Sequence, residues 1–289
     1  MQKILFGTFV LAAAVAAEAD LTPMEWYEGA LVVTNGHELT VSGGEKWNTS
    51  LKVHGTLNVN MDAASTKYYV AGGSSAAPAN SSIYLAPDDG DDAELNLIKG
   101  QMWGRFGNSM YSILYFGDTT KGGKARMTIG VNNAHDEEFS RIHFMAGLKP
   151  QNDGDEVIDA ITLDHNADLW VYSFRQFNAK PVRITFTNSL GTAAKNSRPV
   201  IHGFYNGDIF YLPVAGGDLI LRGNGYWSNG VTNAPIHITT HGGNTATVFK
   251  RLFSVNASDR VGTLRTEGDC DFVFNPSSTG NGVACAWHE

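Results

Sequence analysis

The sequence contains few cysteines, few charged residues and no long apolar run after its first residues. It has only 2 cysteines among 289 residues, and charged residues make up 17% of the chain. The two cysteines have no further ligands at close spacing, so a zinc-finger type of site is not expected around them. No stretch after the N-terminal segment reaches the roughly 20 apolar residues that cross a bilayer. We therefore expect no membrane span after that segment.

Positive charge is scarce as well. The chain has 21 lysines and arginines against 29 aspartates and glutamates, which gives a formal net charge of −8 at pH 7. Proteins that bind nucleic acid or anionic membranes carry basic patches, and this sequence has no cluster of lysine or arginine. Nucleic acid is therefore not an expected partner. An acidic balance is common in soluble secreted proteins and names no partner by itself.

Signatures of catalysis are also missing. There is no Gly-x-Ser-x-Gly motif, and neither cysteine lies in a context that activates a thiol. The glycines at 223–225 and 242–243 are not followed by a predicted helix, so they do not indicate phosphate-binding loops. His237 and His241 are four positions apart in a predicted strand, roughly 13 Å from each other, which is too far to share a metal ion. These motifs predict no catalytic residues and no metal ligands.

The N-terminus has the pattern of an export signal. Met1–Lys3 is a short basic start, residues 4–17 are almost wholly apolar, and Ala17-Glu18-Ala19 offers the small residues that a signal peptidase reads. We predict a signal peptide over 1–19 and a single all-β domain over 20–289, with a small, polar loop or linker within 71–92. The expected location is secreted, extracellular or at the cell surface.

Cys270 and Cys285 lie on either side of a turn-rich segment at 275–282. In an oxidising compartment this arrangement predicts one disulfide that closes a C-terminal hairpin. Closing a loop of this size stabilises a protein by roughly 3 kcal/mol in the chain-entropy model. Two unpaired thiols are the alternative.

A short phrase, apolar–any–apolar after a small or acidic residue, recurs along the whole chain. Alternation with a period of two is typical of strands with one buried face. No long segment after the signal has the 3.6-residue spacing of a helix. The pattern therefore predicts an all-β protein, with strands that include the phrases at 29–33, 38–41, 55–59, 94–97, 168–171 and 217–221.

The phrases around Gly29, Gly36 and Gly55 resemble the rungs of secreted parallel β-helix proteins, such as adhesins and autotransporter passenger domains. The resemblance covers residues 28–60, where Gly36 and Gly55 are nineteen positions apart, a length that fits one turn of a solenoid. It implies a right-handed parallel β-helix, or β-solenoid, with irregular loops. An antiparallel β-sandwich or jelly roll is the alternative fold.

The resemblance also implies a role. We expect a non-enzymatic extracellular protein, structural or adhesive, whose partner is a glycan or further copies of the chain itself. Trp47, Tyr226 and Trp227 lie in turn-rich segments, where flat rings suit stacking against sugars, and they are the predicted ligand-binding residues. Aromatic caps over the ends of a β core are the alternative explanation for these rings.

Two acidic turns are candidates for calcium, the one ion that the sequence suggests as a cofactor. Calcium prefers several hard oxygen ligands from a flexible loop, and neither turn has the spaced pattern of an EF-hand. Solvated acidic turns without an ion are the more common case. The residues concerned are Asp88, Asp89, Asp91 and Asp92 in the first turn, and Asp153, Asp155 and Glu156 in the second.

A carbohydrate-active enzyme on the same scaffold, a polysaccharide lyase or a glycoside hydrolase, is the alternative function. Such an enzyme needs two carboxylates across a sugar bond, or a base beside a cation. The best candidate cluster is Asp164-His165-Asn166-Ala167-Asp168 with Arg175 and Arg183 on the following strands. A groove that holds carboxylates or a carboxylate–arginine pair favours the enzyme. Ladders of Thr, Asn and Ser along the outer faces favour the structural role.

Overall fold

The computed structural model describes the chain as strands and turns. The described residues are 30–70, 82–104, 113–117, 122–130, 140–147, 157–164, 167–171, 174–175, 180–187, 200–204, 210–212, 216–224, 236–241, 262–268, 272–275 and 285–287. Within these ranges there are 23 strands and no helix. The prediction of an all-β protein is therefore confirmed. No helix among these residues is long and apolar enough to cross a membrane.

The strands are short and follow one another closely. The first twelve are β1 Ala30–Val33, β2 Glu38–Gly43, β3 Lys46–Asn48, β4 Ser50–Val53, β5 Thr56–Met61, β6 Lys67–Val70, β7 Ser82–Leu85, β8 Asp92–Lys99, β9 Gln101–Trp103, β10 Ile113–Phe116, β11 Lys124–Ile129 and β12 Ser140–Gly147. The others are β13 Ile158–Asp164, β14 Ala167–Val171, β15 Phe174–Arg175, β16 Val182–Thr187, β17 Val200–Phe204, β18 Phe210–Tyr211, β19 Leu219–Asn224, β20 Ile236–His241, β21 Leu264–Gly268, β22 Phe272–Asn275 and β23 Cys285–Trp287.

Among the described strands, every pairing is parallel except that between the last two. One sheet has 8 strands in the order β2-β5-β8-β11-β13-β16-β19-β21. A second sheet has 13 strands, with the paths β1-β4-β7-β10 and β3-β6-β9 meeting at β12 and continuing through β14, β17, β20, β22 and β23. From β1 to β9, each strand thus pairs with the third strand further along the chain. The pair β15–β18 forms a separate two-stranded sheet.

Aliphatic side chains form a row across the 8-stranded sheet. In register, one residue per strand aligns from β2 to β19: Leu39, Leu57, Leu95, Met127, Ile161, Ile184 and Leu221. We call this set the aliphatic row. All of its members after Leu39 are no more than 2% exposed. Because a slip of one residue would turn every side chain to the other face, burial of this row fixes the register.

The core is less well covered at the first and last strands. Leu31, Leu39 and Val41 in β1 and β2, and Leu264 in β21, pack against the core but remain partly exposed. The equivalent residues of the strands between them are fully buried. Among the described residues, β1 and β2 are paired on one side only. Within the described part of the chain, the row of apolar side chains therefore ends at strands that have one neighbour instead of two.

The turns between strands lie against one another as closely as the strands do. The amide of His54 donates to the carbonyl of Val33 over 2.7 Å, and in the next turn the amide of Ala86 donates to Val53 over 2.8 Å. Gly55 lies in the first of these turns. A Cβ atom on Gly55 would be 2.3 Å from the carbonyl oxygen of His37, so the close approach requires glycine.

The one antiparallel pair among the described strands lies near the end of the chain. β22 and β23 pair antiparallel, with Phe274 opposite Cys285. These are the two strands of the C-terminal hairpin expected from the sequence. Cys270 lies outside the described residues, so the disulfide with Cys285 stays a prediction.

Several other expectations fall on residues outside the described ranges. They are the signal peptide at 1–19, residues 71–81 of the linker, the second acidic turn at 153–156, and Tyr226 and Trp227. The rest of the segment 71–92 contains β7 and the turn that leads into β8.

Candidate functional site

Polar residues form a row on the outward face of the 8-stranded sheet. The register aligns Thr40, Asn58, Asn96, Thr128, Thr162 and Thr185 across six neighbouring strands, and Arg222 and Glu267 continue the same line. We call the first six residues the Thr/Asn row. They are exposed or partly exposed, whereas the residues on either side of each along the strand are mostly buried. This alternation places one face of the sheet on the core and the other in solvent.

Side-chain amides connect the beginning of the Thr/Asn row. The amide nitrogen of Asn96 donates to the side-chain oxygen of Asn58 over 3.1 Å, and Asn58 donates to the carboxylate of Glu38 over 2.6 Å. Asparagines in register on neighbouring strands can repeat such a bond from one strand to the next. Neighbouring strands of the sheet therefore present the same type of polar side chain at equivalent positions on the outer surface.

An aromatic row lies on β3, β6 and β9. Trp47, Tyr69 and Trp103 align in register, with the rings of Trp47 and Tyr69 6.2 Å apart and tilted by 48°. The ammonium of Lys67 lies 5.0 Å from the centre of the Trp103 ring, within the range of a cation–π contact. Burial, together with the nearby charge of Glu45, raises the pKa of Tyr69 above its ordinary value. These contacts hold the rings of the aromatic row in place.

Trp47 was predicted to bind a ligand. Its side chain is only 6% exposed, so it contributes more to packing than to an open surface. Tyr69 and Trp103 are partly exposed, and the sequence analysis did not single them out. Along the chain, each of these residues is three strands away from the next. The spacing of the sequence alone does not show that they align. Tyr226 and Trp227 lie outside the described residues, so ligand contact at all three sites stays a prediction.

A second aromatic pair lies on the 13-stranded sheet. The rings of Tyr84 in β7 and Tyr115 in β10 stack with their centres 5.2 Å apart and their planes within 13°. The two residues are direct partners in the parallel register. Both are partly exposed, and together they present a flat aromatic surface to the outside.

Asp164 and Arg183, two members of the cluster suggested for an enzyme, lie apart in the structure. Asp164 is buried at the end of β13 and aligns with Thr187, four residues along β16 from Arg183, roughly 13 Å by the rise of a strand. Arg175 lies in β15, in the separate two-stranded sheet. His165 and Asn166 lie outside the described residues, and nothing is described of the Asp168 side chain.

Arg183 has different carboxylate partners from those expected. Its guanidinium bonds to Asp159 over 2.9 Å and to Glu267 over 3.3 Å. Burial disfavours the charge of Arg183, but the hydrogen bonds and charges of the two carboxylates outweigh this effect, so its pKa is raised above the ordinary value. Arg183 is therefore a fixed cation between two acids on the outer face of the sheet.

The first acidic turn divides into two environments. Asp92 begins β8 and pairs with the guanidinium of Arg126 over 2.7 Å. Asp88 and Asp91 lie next to His54, a histidine that the sequence analysis did not connect with this turn. His54 precedes Asp91 by 37 positions in the chain, and only the pairing of β4 with β7 brings the two turns together. The calcium prediction is not tested by these contacts.

No protein-family model, curated protein or solved structure matches the chain. The resemblance to secreted β-helix proteins therefore depends on residues 28–60 alone. Any functional conclusion has to come from the geometry of this chain.

Proposed function

We propose that the chain is a right-handed parallel β-helix with an extracellular structural or adhesive role. The parallel pairing of β1 to β9, each with the third strand further on, supports this fold, because a helical coil of three strands per turn has that order. A β-sandwich or jelly roll is built from antiparallel neighbours, and only β22 and β23 pair in that way among the described strands.

The Thr/Asn row is the observation that carries the structural role. An active site concentrates unlike polar groups at one point, whereas a scaffold repeats similar groups over its length. Here the same small polar residue types recur on six neighbouring strands, with direct side-chain bonds between Asn96, Asn58 and Glu38. The aromatic row and the Tyr84–Tyr115 pair supply the flat rings that a glycan partner requires for an adhesive role.

Self-association is the second part of the proposal, and its expected partner is another copy of the chain. Among the described residues, β1 and β2 have an unpaired edge, and an edge strand offers free backbone donors and acceptors. Leu31, Leu39 and Val41 are partly exposed at that end, and Val32 in β1 is a large apolar residue with 49% of its surface exposed. A second copy of the chain would cover these side chains with aliphatic residues of its own strands, as β4 and β5 already do on the paired side of β1 and β2.

The experiment is sedimentation of the chain from Asp20 onwards at several concentrations. We expect the average mass to rise with concentration. Val41→Lys places an inward-pointing charge at the edge and should leave a monomer. Thr162→Lys, on the outward face of an interior strand, is the matched control and should associate like the unchanged chain.

Two results would contradict self-association through this end. The first is a monomer at every concentration. The second is equal association of Val41→Lys and Thr162→Lys, provided that circular dichroism shows both variants folded.

The carbohydrate-active enzyme remains a second candidate because Arg183 lies between Asp159 and Glu267. A cation beside carboxylates is one arrangement that cleaves uronate polymers. Incubation with polyuronates, monitored by the ultraviolet absorbance of the unsaturated product, tests it. The structural role predicts no turnover. Turnover that disappears in Arg183→Gln but persists in Arg265→Gln would establish the enzyme instead.

A further inference from the structure

His54, Asp88 and Asp91 meet where two neighbouring turns lie side by side. His54 is in the turn between β4 and β5, and the two aspartates are in the turn between β7 and β8. His54 Nδ1 is 2.9 Å from Asp91 Oδ2 and 3.6 Å from Asp88 Oδ2. The three ligand atoms all lie within 4.8 Å of one another. Three side chains from two separate turns thus converge on one point.

Asp91 is buried more completely than such a carboxylate normally is. Its side chain is only 6% exposed. Oδ2 accepts hydrogen bonds from His54 Nδ1 and from the backbone amide of Asp88, the latter over 2.8 Å. No described residue donates a hydrogen bond to the other oxygen, Oδ1. A buried carboxylate is unfavourable unless its charge is compensated, and a cation beside Oδ2 would supply that compensation.

The donor set indicates the chemical class of the ligand. Calcium takes six to eight oxygen ligands, and here one of the three donors is an imidazole nitrogen. Zinc and similar transition-metal ions accept imidazole nitrogen together with carboxylate oxygen. Zinc bonds of about 2.0–2.2 Å in a tetrahedron place ligand atoms about 3.4 Å apart. The two separations from His54 Nδ1, 2.9 and 3.6 Å, lie on either side of that value.

We propose that His54, Asp88 and Asp91 bind a divalent transition-metal ion of the zinc type. The ion replaces the proton on His54 Nδ1, and both carboxylates bind as anions. Asp88, whose side chain is 53% exposed, faces solvent and leaves access for the ion and for water as the fourth ligand. Since the ligands come from two turns, the ion ties neighbouring turns together. This inference does not depend on self-association or on a glycan partner.

Equilibrium dialysis of the chelator-treated chain against Zn²⁺, followed by thermal unfolding, tests the proposal. We expect one ion per chain at this site. With free Zn²⁺ at 100 times the dissociation constant, the ratio of unfolded to folded chains should fall about 100-fold. Asp88→Asn and His54→Gln should each lose this ion and the stabilisation. Both keep a similar size, and Asp88 is exposed enough for its variant to fold.

Asp89→Asn is the matched control, because it removes the same charge from the same turn without touching His54. It should bind Zn²⁺ like the unchanged chain. Equal weakening by Asp88→Asn and Asp89→Asn would overturn the proposal, since it would indicate only diffuse attraction to an acidic turn. Absence of saturable binding would overturn it too. Preference for Ca²⁺ over Zn²⁺ would show that the assigned class of ion is wrong.

Discussion

Among single residues, Tyr68 shows most clearly how the interior accommodates polar groups. Tyr68 is fully buried, and its hydroxyl donates to the side-chain oxygen of Asn48 over 2.9 Å. Burial also raises the pKa of Tyr68 above its ordinary value. Each group satisfies the other, so this polar contact is tolerated within an apolar core.

Tyr68→Phe should therefore be destabilising although it removes a single oxygen. The variant leaves the Asn48 oxygen buried without this donor, which costs about 1–3 kcal/mol. Tyr84→Phe is the control, because Tyr84 stacks on Tyr115 through its ring, and we expect a change within about 0.5 kcal/mol. Urea unfolding of both variants measures the difference. Equal stabilities would show that the Tyr68–Asn48 bond does not contribute.

Gly55 gives a second prediction. A Cβ atom there would lie 2.3 Å from the His37 carbonyl oxygen and 2.5 Å from that of Thr34, so Gly55→Ala must separate two neighbouring turns. We expect a loss of about 2 kcal/mol or more, within or above the usual range for overpacking. Gly44 has no atom within 4 Å of such a Cβ, and Gly44→Ala should be neutral or slightly stabilising. If urea unfolding finds the two variants equally stable, the turns are not in close contact.

Some of these residues could be identified from the sequence and others could not. Gly55 was recognised as the small residue that precedes an alternating apolar phrase, because glycine is common at the boundaries of strands. The partnership of His54 with Asp91 was not predictable. It joins positions 37 apart, and only the register of β4 against β7 brings them together.

The strands and their pairing are the next level of organisation. The aliphatic row explains why the alternating phrases of the sequence identify strands: Leu39, Leu57 and Leu95 come from three of those phrases and align directly. Leucine side chains at different positions in this row have different environments. Leu57 has paired strands on both sides, whereas β2, which carries Leu39, has a described partner strand on one side only.

This difference predicts unequal effects of the same truncation. Leu57→Ala removes a fully buried side chain between two strands and should destabilise the chain by about 3 kcal/mol. Leu39→Ala removes a partly exposed one and should cost about 1 kcal/mol. Urea unfolding at a concentration where the chain is monomeric gives both values. Equal losses would contradict an open edge at β2.

The positions of the strands could be predicted from the sequence better than their partners could. The grouping of Asp164 with Arg183 was wrong, because it assumed that the two residues occupy equivalent positions on neighbouring strands. The register instead places Arg183 next to Asp159 and lets it reach Glu267. Parallel register depends on the lengths of the connections, and those lengths vary along this chain.

For the whole molecule, the question is whether the strands stack along one axis. The nineteen-residue spacing of Gly36 and Gly55 indicated one turn of a coil, but later strand partners, such as Leu57 and Leu95, are further apart in the chain, so no regular repeat remained for the sequence to reveal. Apolar and polar residues still alternate along each strand when the connections between strands are longer, since a longer connection does not change which face of the strand is buried. Fold class was therefore predictable, while the strand order was not.

Distances between spin labels along the Thr/Asn row test the stacking directly. Cysteines for labelling replace Thr40 and, in turn, Thr162, Thr185 or Arg222, in a chain whose Cys270 and Cys285 are serine. Strands lie about 4.8 Å apart, so double electron–electron resonance should give distances near 19, 24 and 29 Å, rising by about 4.8 Å per strand. Distances that fail to increase from Thr162 to Arg222, as in a sheet folded back on itself, would contradict a parallel β-helix.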